Sequence, residues 1–443
     1  MGAARTRVIL LFVFVLLAVA PGAVWAGGFA NLDLGATRCS MMAVVAHIDD
    51  PTAIYHNPAC LTALDGDRLY YAQTSFMLRG RFKVRDYEYN ESKWIKPEKF
   101  FGVAPFLAYT TDFGTDRWAA GAALYFPNAY GAFLPEDAAS RYSLVEGFFV
   151  TGNFTPTVAY QLTPEVSLGL GVSYIYVQLL GMRRIHGDIL FNDPLLTDYP
   201  DPEEDWELEI SGEDYVYGWD VGAQWKPSPR FAVGLTYTSE SEVTLEGEAK
   251  LTDVNKNVSP GAGDLPAIIV AFLGTDTVDV EVGMLVPQCL RLGFLFQVTP
   301  KVGIALDGAW WDYSKYKEQK ITTKPDLSAF YDLTSQKNYD DSYHLDLGAK
   351  WQRTSDTAYM AGLQYDKSPI PDEAYAFENP ASDLYGYSLG VRHRLTENLT
   401  GTVAWVNNYY EKKNIDNVNY VPNIRPIGEG IMYEICFDLS YTF

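Results

Sequence analysis

The sequence predicts an all-β protein, a transmembrane antiparallel β-barrel of about 14 strands with an N-terminal plug in its lumen. Three observations predict this fold. Apolar residues alternate with small or polar residues over many stretches, the links between the stretches alternate between short and long, and the chain ends in an aromatic-rich strand. Strands of a membrane barrel alternate in this way because one face contacts lipid and the other faces the lumen.

The first 26 residues have the composition of a secretory signal peptide. They begin with Arg5 and Arg7, continue with an apolar run at 8–20, and end in the small residue Ala26. The run is short for a membrane-spanning helix, so cleavage is favoured over retention as an anchor. We therefore expect an exported protein.

The alternation is clearest in two stretches. Between positions 166 and 176 the even residues are apolar or aromatic, and most odd residues are glycine or serine. From Tyr433 onward, aromatic and aliphatic residues alternate with polar ones, and the chain ends at Phe443. A final strand that ends in phenylalanine resembles the C-terminal signature of bacterial outer-membrane barrels, so we expect this protein in the outer membrane.

Residues that interrupt the alternation divide the chain into strands at 67–79, 100–111, 116–127, 148–162, 165–181, 214–226, 229–247, 278–298, 301–311, 342–353, 356–366, 384–395, 398–408 and 430–443. Tight links such as Thr163-Pro164 and Pro227-Ser228 alternate with long polar segments. Short periplasmic turns and long extracellular loops produce this alternation, and an even strand count puts both termini in the periplasm. Pro287 lies inside the strand at 278–298, where it removes a ladder hydrogen bond and predicts a local kink or bulge.

The segment at 27–66 precedes the first strand and lacks the period-two pattern. A barrel of about 14 strands encloses a lumen too wide for wall side chains to fill, so a preceding segment is a natural plug. A mobile periplasmic tail is the alternative, but the apolar content of the segment disfavours disorder. The predicted domains are a signal peptide at 1–26, a plug at 27–66 and the barrel at 67–443.

Composition disfavours several classes of function. The net charge of −22 argues against nucleic-acid binding, because the phosphate backbone would be repelled. The five histidines form no catalytic or metal-ligand pattern, so we expect no enzyme activity, no cofactor and no metal. A barrel lipase or protease is the enzyme alternative, since its catalytic residues would come from different strands and would leave no pattern in the sequence spacing.

Two details concern the N-terminal segment. Cys39 and Cys60 either pair with each other or remain separate buried thiols. His47 and His56 flank the acidic pair Asp49-Asp50, and we expect these side chains to be solvated at the surface.

The residues at 46–61 read AHIDDPTAIYHNPACL, with an acidic pair ahead of an Asn-Pro-Ala turn. This stretch resembles the hatch of the FadL family of outer-membrane transporters of fatty acids and other hydrophobic compounds. Further stretches look similar to that family in the same order, at 156–160, 237–240, 285–293 followed by Trp310-Trp311, and 368–371 ahead of 387–390. With the final Phe443, the resemblance covers nearly the whole mature chain.

The resemblance implies passive transport of a hydrophobic molecule. In the family, ligand is captured in a groove between two outer loops, passes to a lumenal pocket near the start of the plug, and leaves sideways into the bilayer at a kinked third strand. The loop residues that match the groove are Phe191, Leu195, Ile268, Ile269 and Phe272. The residues that match the pocket and gate are Gly27, Gly28 and Phe29, the plug turn Asn57, Pro58 and Ala59, and Gly121 on the small-sided third strand at 118–130.

We therefore expect the 57–59 turn to hold the plug against the inner wall, and ligand near Phe29 to shift the plug and open a lateral gap beside Gly121. The expected partners are long-chain fatty acids or hydrocarbons and outer-membrane lipid, with a monomer as the assembly. The apolar loop residues could instead pack on each other and cap the barrel.

A structural or assembly barrel that binds another protein or a surface polymer is the alternative function. The segments at 315–341 and 407–429 favour it, because they are polar and rich in Tyr and Asn. A general porin is disfavoured, because a plug would obstruct free diffusion.

Overall fold

The structure, a computed structural model, describes residues 33–85, 93–97, 101–138, 140–186, 205–254, 265–328, 334–375, 381–414 and 425–443. Within these residues, 14 strands form a closed antiparallel ring. The predicted fold class and strand number are confirmed. The signal peptide expected at 1–26 lies outside the described residues.

The strands are β1 (Arg68–Arg85), β2 (Phe101–Thr111), β3 (Trp118–Phe133), β4 (Glu146–Thr163), β5 (Val166–His186), β6 (Asp205–Ser228), β7 (Phe231–Thr238), β8 (Ser241–Asp253), β9 (Thr277–Val286), β10 (Cys289–Thr299), β11 (Val302–Trp311), β12 (Glu318–Gln319), β13 (Ile321–Lys324), β14 (Ser335–Gln336), β15 (Ser342–Gln352), β16 (Thr357–Asp366), β17 (Leu384–Arg394), β18 (Leu399–Asn414) and β19 (Arg425–Thr442). The helices are α1 (Ala36–Met41), α2 (Ala53–His56), α3 (Leu265–Leu273) and three short 3₁₀ helices (Pro58–Ala63, Tyr313–Lys315 and Asp372–Ala374).

In the count of 14, β7 and β8 form one interrupted strand of the ring, and β9 and β10 form another. Each ring strand pairs with the next one in the chain, and β1 pairs with β19 to close the ring. Two of the predicted strands are interrupted. The prediction at 229–247 corresponds to β7 and β8, and the prediction at 278–298 corresponds to β9 and β10. The two interruptions lie opposite each other, because Thr238 pairs with Cys289 and Ser241 pairs with Val286. The irregularity predicted at Pro287 is confirmed, and the closed ring keeps an even number of strands.

Several strands extend beyond their predicted ends on the side of the long loops. β1 continues to Arg85, and β6 begins at Asp205 where the alternation predicts a start at 214. In the DWELEISGE start of β6, the charged residues lie on the same face as the exposed Tyr215 and Tyr217, and Trp206, Leu208 and Ile210 lie on the other face. A strand that rises above the lipid layer no longer needs an apolar outer face, so its outward residues become charged.

The outer surface of the ring is apolar. Leu168, Leu170, Val172 and Tyr174 on β5 are exposed, while the residues between them point inward. Rings of Tyr174 and Tyr215 stack on the outer surface with centroids 5.5 Å apart. An apolar band that carries aromatic side chains is the surface a barrel presents to lipid. Among the described residues, no helix combines the length and the apolar character needed to cross a bilayer.

A disulfide joins Cys39 of α1 to Cys436 of β19, with the two Cα atoms 6.5 Å apart. Cys60 is a free buried thiol, and so is Cys289. The expectation that Cys39 either pairs with Cys60 or stays unpaired is therefore wrong. The bridge links residues 397 positions apart, which only the closed ring brings together.

We predict that unfolding without reduction exposes two alkylatable thiols, Cys60 and Cys289, and that reduction exposes four, as counted by intact-protein mass spectrometry. Loss of the bridge in Cys39→Ser or Cys436→Ser should destabilise the protein by about 2–5 kcal/mol and lower the temperature at which it unfolds on gels. The double variant with both substitutions should be destabilised no more than either single variant.

The control is Cys289→Ala, which leaves the bridge intact. Alkylation of all four cysteines without reduction would show that Cys39 and Cys436 are not bonded.

Candidate functional site

Residues 33–66, called here the N-terminal segment, lie inside the ring. Helix α1 packs against β15 to β19, and the 3₁₀ helix Pro58–Ala63 packs against β3 to β6 on the other side. The wall approaches this segment closely at glycines. A Cβ added at Gly234 would lie 2.0 Å from the Val45 carbonyl oxygen, and one at Gly348 would lie 2.2 Å from the Met41 carbonyl oxygen. The small inward-facing residues of the alternation thus make room for the segment.

The Asn57-Pro58-Ala59 turn lies against β5 and β6. The Asn57 Nδ2 donates to the carbonyl oxygens of Val45 (2.8 Å) and Ala223 (3.2 Å), and its Oδ1 accepts from the Ala59 N–H (3.1 Å). Pro58 begins the 3₁₀ helix, where its missing N–H costs nothing. A Cβ added at Gly222 would lie 2.2 Å from Asn57 Oδ1, so only glycine admits the turn at this point of the wall.

The acidic pair of the segment is engaged in polar contacts with the barrel wall and within the segment. Asp49 pairs with Arg392 (2.6 Å) and Lys350 (3.0 Å), while Asp50 is buried and accepts hydrogen bonds from Thr37 and from the Thr52 N–H (2.9 Å). The expectation of solvated surface carboxylates is wrong. Burial raises the pKa of Asp49, but the charges of Arg392 and Lys350 outweigh burial and hold the pKa well below its usual value.

His56 is also buried, and its Nε2 lies 2.8 Å from the Leu34 carbonyl oxygen. Burial lowers the pKa of His56 well below its usual value, and burial also lowers the pKa of His47, to about 4. Both imidazoles are therefore neutral near pH 7 and fill space in the segment. His56 is not a solvated surface group, since the wall and the segment enclose it, whereas His47 is half-buried and lines a cavity near the short links.

A second ionic contact, also at β15, fixes α1 to the wall. Arg38 is fully buried and lies 3.0 Å from Asp346, 3.2 Å from the His344 Nε2 and 3.6 Å from Asp33. Burial opposes the charge of Arg38, but Asp346 and Asp33 outweigh burial and raise its pKa. The guanidinium stays charged and holds the helix against β15.

The third strand carries a break in its pairing. The register between β3 and β4 shifts between Tyr125 and Asn128, around Phe126-Pro127. β3 pairs with β2 only up to Tyr125, so within the described residues 101–105 of β2 and 126–133 of β3 have no ladder partner on their facing edges. The interruption leaves a gap in the ladder between these two strands.

Gly121 lies in the fully paired part of β3, opposite Thr110 of β2 and Thr157 of β4. The small residues 120–123 pair with both neighbouring strands, and the ladder breaks around Pro127. The gap in the ladder begins after Tyr125, and a lateral opening beside Gly121 stays a prediction. The ring of Tyr125 contacts Tyr55 of the N-terminal segment (5.3 Å) and stacks on Phe106 (5.1 Å).

Near the long loops, a cavity of about 170 Å³ opens between β4, β5, β6, β9 and the residues Gln319, Ile321, Lys337 and Tyr339. Its wall is mostly apolar, with Leu144, Phe149, Leu208, Ile210, Met284 and Ile321. Two cations, Arg183 and Lys337, also line it, and the Lys337 side chain is only 4% exposed. A buried ammonium in an apolar cavity suits a ligand with an anionic head and an apolar tail. Sequence reasoning missed Lys337, because it lies in a polar loop with no apolar neighbours.

The predicted outer-groove residues fall into two groups. Phe191 and Leu195, like Gly27, Gly28 and Phe29 of the predicted pocket, lie outside the described residues. Ile268, Ile269 and Phe272 belong to α3. Ile269 is buried in an apolar cluster, whereas Phe272 is 77% exposed. The structure thus gives Ile269 a packing role and leaves Phe272 accessible to a ligand.

One group of potential metal ligands occurs among the described residues, Cys39, Glu434 and Cys436. The two sulfurs are bonded to each other in the disulfide, so neither is available as a thiolate ligand.

The family described as "Outer membrane protein transport protein (OMPP1/FadL/TodX)" matches residues 17–428. The chain is similar to the long-chain fatty acid transport protein of Escherichia coli O6:H1, with 22% identity over 399 residues that cover 84% of each protein. Among solved structures it is similar to a Pseudomonas aeruginosa FadL homologue (TM-score 0.81, 18% identity, 96% of this chain and 100% of that one). It is also similar to the Pseudomonas putida toluene transporter TodX (TM-score 0.69, 15% identity, 92% and 98%).

We predict that Asn57→Ala destabilises the packing of the N-terminal segment by about 1–3 kcal/mol, because the carbonyl groups of Val45 and Ala223 lose a buried donor. Hydrogen exchange read by mass spectrometry should show faster exchange across 45–63. The control is Asn398→Ala, which removes an exposed hydrogen bond to the Thr442 carbonyl oxygen at a turn. Unchanged exchange at 45–63 would mean that the Asn57 side chain does not hold the segment.

Proposed function

The chain belongs to the outer membrane protein transport family OMPP1/FadL/TodX, and from this premise we propose that it carries long-chain fatty acids passively across the outer membrane. The observation that carries the proposal is the apolar cavity with a buried ammonium at Lys337 and a guanidinium at Arg183. Both cations interact with other groups of the protein, and a carboxylate in the cavity would add charge-assisted hydrogen bonds that a neutral hydrocarbon cannot accept. The relative from Escherichia coli is named as a fatty acid transporter and TodX as a toluene transporter, so the charges favour the first substrate class for this chain.

The proposed path begins at the outer surface, where exposed Phe272 on α3 would remove part of an acyl chain from water. Phe191 and Leu195 would complete this groove. The ligand then enters the cavity, whose volume of about 170 Å³ is small for a whole ligand site. It would therefore hold the carboxylate and the first part of the chain.

Release is proposed through the gap between β2 and β3. Tyr55 of the N-terminal segment contacts Tyr125, which is the last residue of β3 paired with β2. A shift of the segment would therefore act on the edge of the gap directly. A ligand biases such an equilibrium only by binding one state better than the other. Gly27, Gly28 and Phe29 are proposed to sense the ligand.

The disulfide limits this movement. Because Cys39 is bonded to Cys436, α1 stays near β19 in every state of the oxidised protein. The gating movement is therefore assigned to residues before Cys39 and to the region around Tyr55. We propose that the segment remains in the barrel as a plug throughout transport, and that the periplasmic ends of the strands stay obstructed.

We predict that Lys337→Met weakens palmitate binding roughly tenfold to a hundredfold, because one charge-assisted hydrogen bond contributes about 1.5–3 kcal/mol. Binding of hexadecanol, which has the same chain and no charge, should be unchanged. Isothermal titration of the detergent-solubilised protein measures both ligands.

Lys320→Met is the matched control, since Lys320 is an exposed lysine of the same loop region. If Lys337→Met leaves palmitate affinity intact, or lowers the affinity for hexadecanol equally, recognition of a carboxylate at this cavity is wrong and a neutral substrate is favoured.

We also predict that Phe272→Ser slows uptake of fatty acid at limiting concentration, because an exposed aromatic side chain contributes about 1.5–3 kcal/mol when a ligand covers it. Uptake at saturating concentration should be nearly normal. Ile269→Ser is unsuitable for this test, because Ile269 packs in the interior. Phe113→Ser removes an exposed aromatic from the short link between β2 and β3 and serves as the control. Equal uptake by Phe272→Ser and the native protein at limiting ligand would argue that α3 merely caps the barrel.

A further inference from the structure

A larger cavity lies at the opposite end of the barrel, beside the short links between strands. Its volume is about 660 Å³, and it lies between the N-terminal segment and the inner faces of β7, β10, β11 and β15. Sites for small molecules commonly have volumes of roughly 300–1,000 Å³, so this cavity is large enough for one. We call it the mouth cavity.

The mouth cavity ends blindly toward the middle of the barrel. Wall glycines meet the backbone of the N-terminal segment there, since a Cβ added at Gly234 would lie 2.0 Å from Val45 and one at Gly293 would lie 2.7 Å from the Ala46 nitrogen. On β15, Gly348 meets Met41 in the same way. Because the backbone of the wall contacts the backbone of the N-terminal segment at these points, no passage remains along these strands. A molecule in the mouth cavity therefore enters from the side of the short links.

The inner part of the mouth cavity is apolar. The segment contributes Met41, Val44 and Ala46, and the wall contributes Ala232, Leu295 and Ala305. Several of these side chains belong to the apolar cluster around the segment. An apolar tail placed here would leave water and gain about 25 cal/mol for each Å² that it buries.

The rim of the mouth cavity is cationic. Lys226 lies near the end of β6, Arg230 and Lys301 lie on short links, and within the described part of the chain none of them has an ion-pair partner. Glu165 is a carboxylate on the rim, while Asp49 and Lys350 are bonded to each other. In a chain with a net charge of −22, three unpaired cations around one opening form a local site for an anion.

We propose that the mouth cavity is a second binding site for an amphiphile with a single carboxylate, entered from the side of the short links. The apolar tail lies against Met41, Leu295 and Ala305, and the carboxylate lies among Lys226, Arg230 and Lys301. The ligand class rests on the proposed function, but the site is separate from the Lys337 cavity and on the other side of the N-terminal segment. It binds ligand that has already reached the compartment at this end of the barrel.

The test uses a palmitate analogue with a diazirine in its chain, photo-crosslinked to the full protein in lipid nanodiscs. Mass spectrometry should find crosslinks within 226–232 and 295–305, besides those within the peptides that line the Lys337 cavity. Excess palmitate should compete with the analogue and reduce the crosslinks at both cavities. A diazirine analogue of hexadecanol should label 226–232 and 295–305 roughly tenfold less, because it has no charge for the rim.

Charge reversal of Lys226→Glu, Arg230→Glu and Lys301→Glu together should reduce the crosslinks at the mouth cavity by roughly tenfold and leave those at the Lys337 cavity unchanged. Ala305→Trp fills the inner part of the mouth cavity, and it should reduce the crosslinks there in the same way without a change of charge. Lys250→Glu, an exposed lysine on β8, is the control for net charge.

Crosslinks at the Lys337 cavity with none at 226–232 or 295–305 would overturn this site and leave the proposed function standing. Crosslinks at the mouth that survive both the charge reversal and Ala305→Trp would also overturn it. Absence of specific crosslinks at both cavities would overturn the proposed function and this site with it.

Discussion

The requirement that every backbone N–H and C=O within a bilayer finds a partner governs this molecule. Hydrocarbon offers no hydrogen bonds, so a sheet inside it has to close on itself. Pairing of β1 with β19 along their whole lengths meets the requirement. A ring of 14 strands is too wide for its own side chains to fill, and the N-terminal segment occupies the space that closure creates.

Filling the lumen creates a second demand, because the segment brings charges into a place with little water. The wall meets charges of the segment with opposite charges: Arg38 with Asp346, and Asp49 with Arg392 and Lys350. Such pairs add little net stability compared with apolar packing, but removal of one partner is costly. The ion pairs fix the position of the N-terminal segment, and the wall glycines set the distance between the segment and the wall.

Sequence reasoning reached the parts of the fold where local pattern and lipid exposure coincide. The alternation around Leu170 and the break at Pro287 are local, and both predicted the structure well. The start of β6 at Asp205 escaped prediction, because above the lipid layer the outward face of a strand carries charged residues where the membrane pattern requires apolar ones. Contacts between distant residues escaped as well. Nothing near Asp49 in the chain indicates Arg392, and nothing near Cys39 indicates Cys436. Lys337 becomes notable only when the fold encloses it in an apolar cavity.

The bond between Cys39 and Cys436 has a meaning for biogenesis. Its two sulfurs belong to the region ahead of the first strand and to the final strand, so they meet only after the whole sheet has been laid down in register. The disulfide thus forms in a barrel that is already closed and already contains the N-terminal segment. A chain whose last strand has not yet joined the ring cannot form this bond. The redox state of a single pair thereby distinguishes finished molecules from unfinished ones.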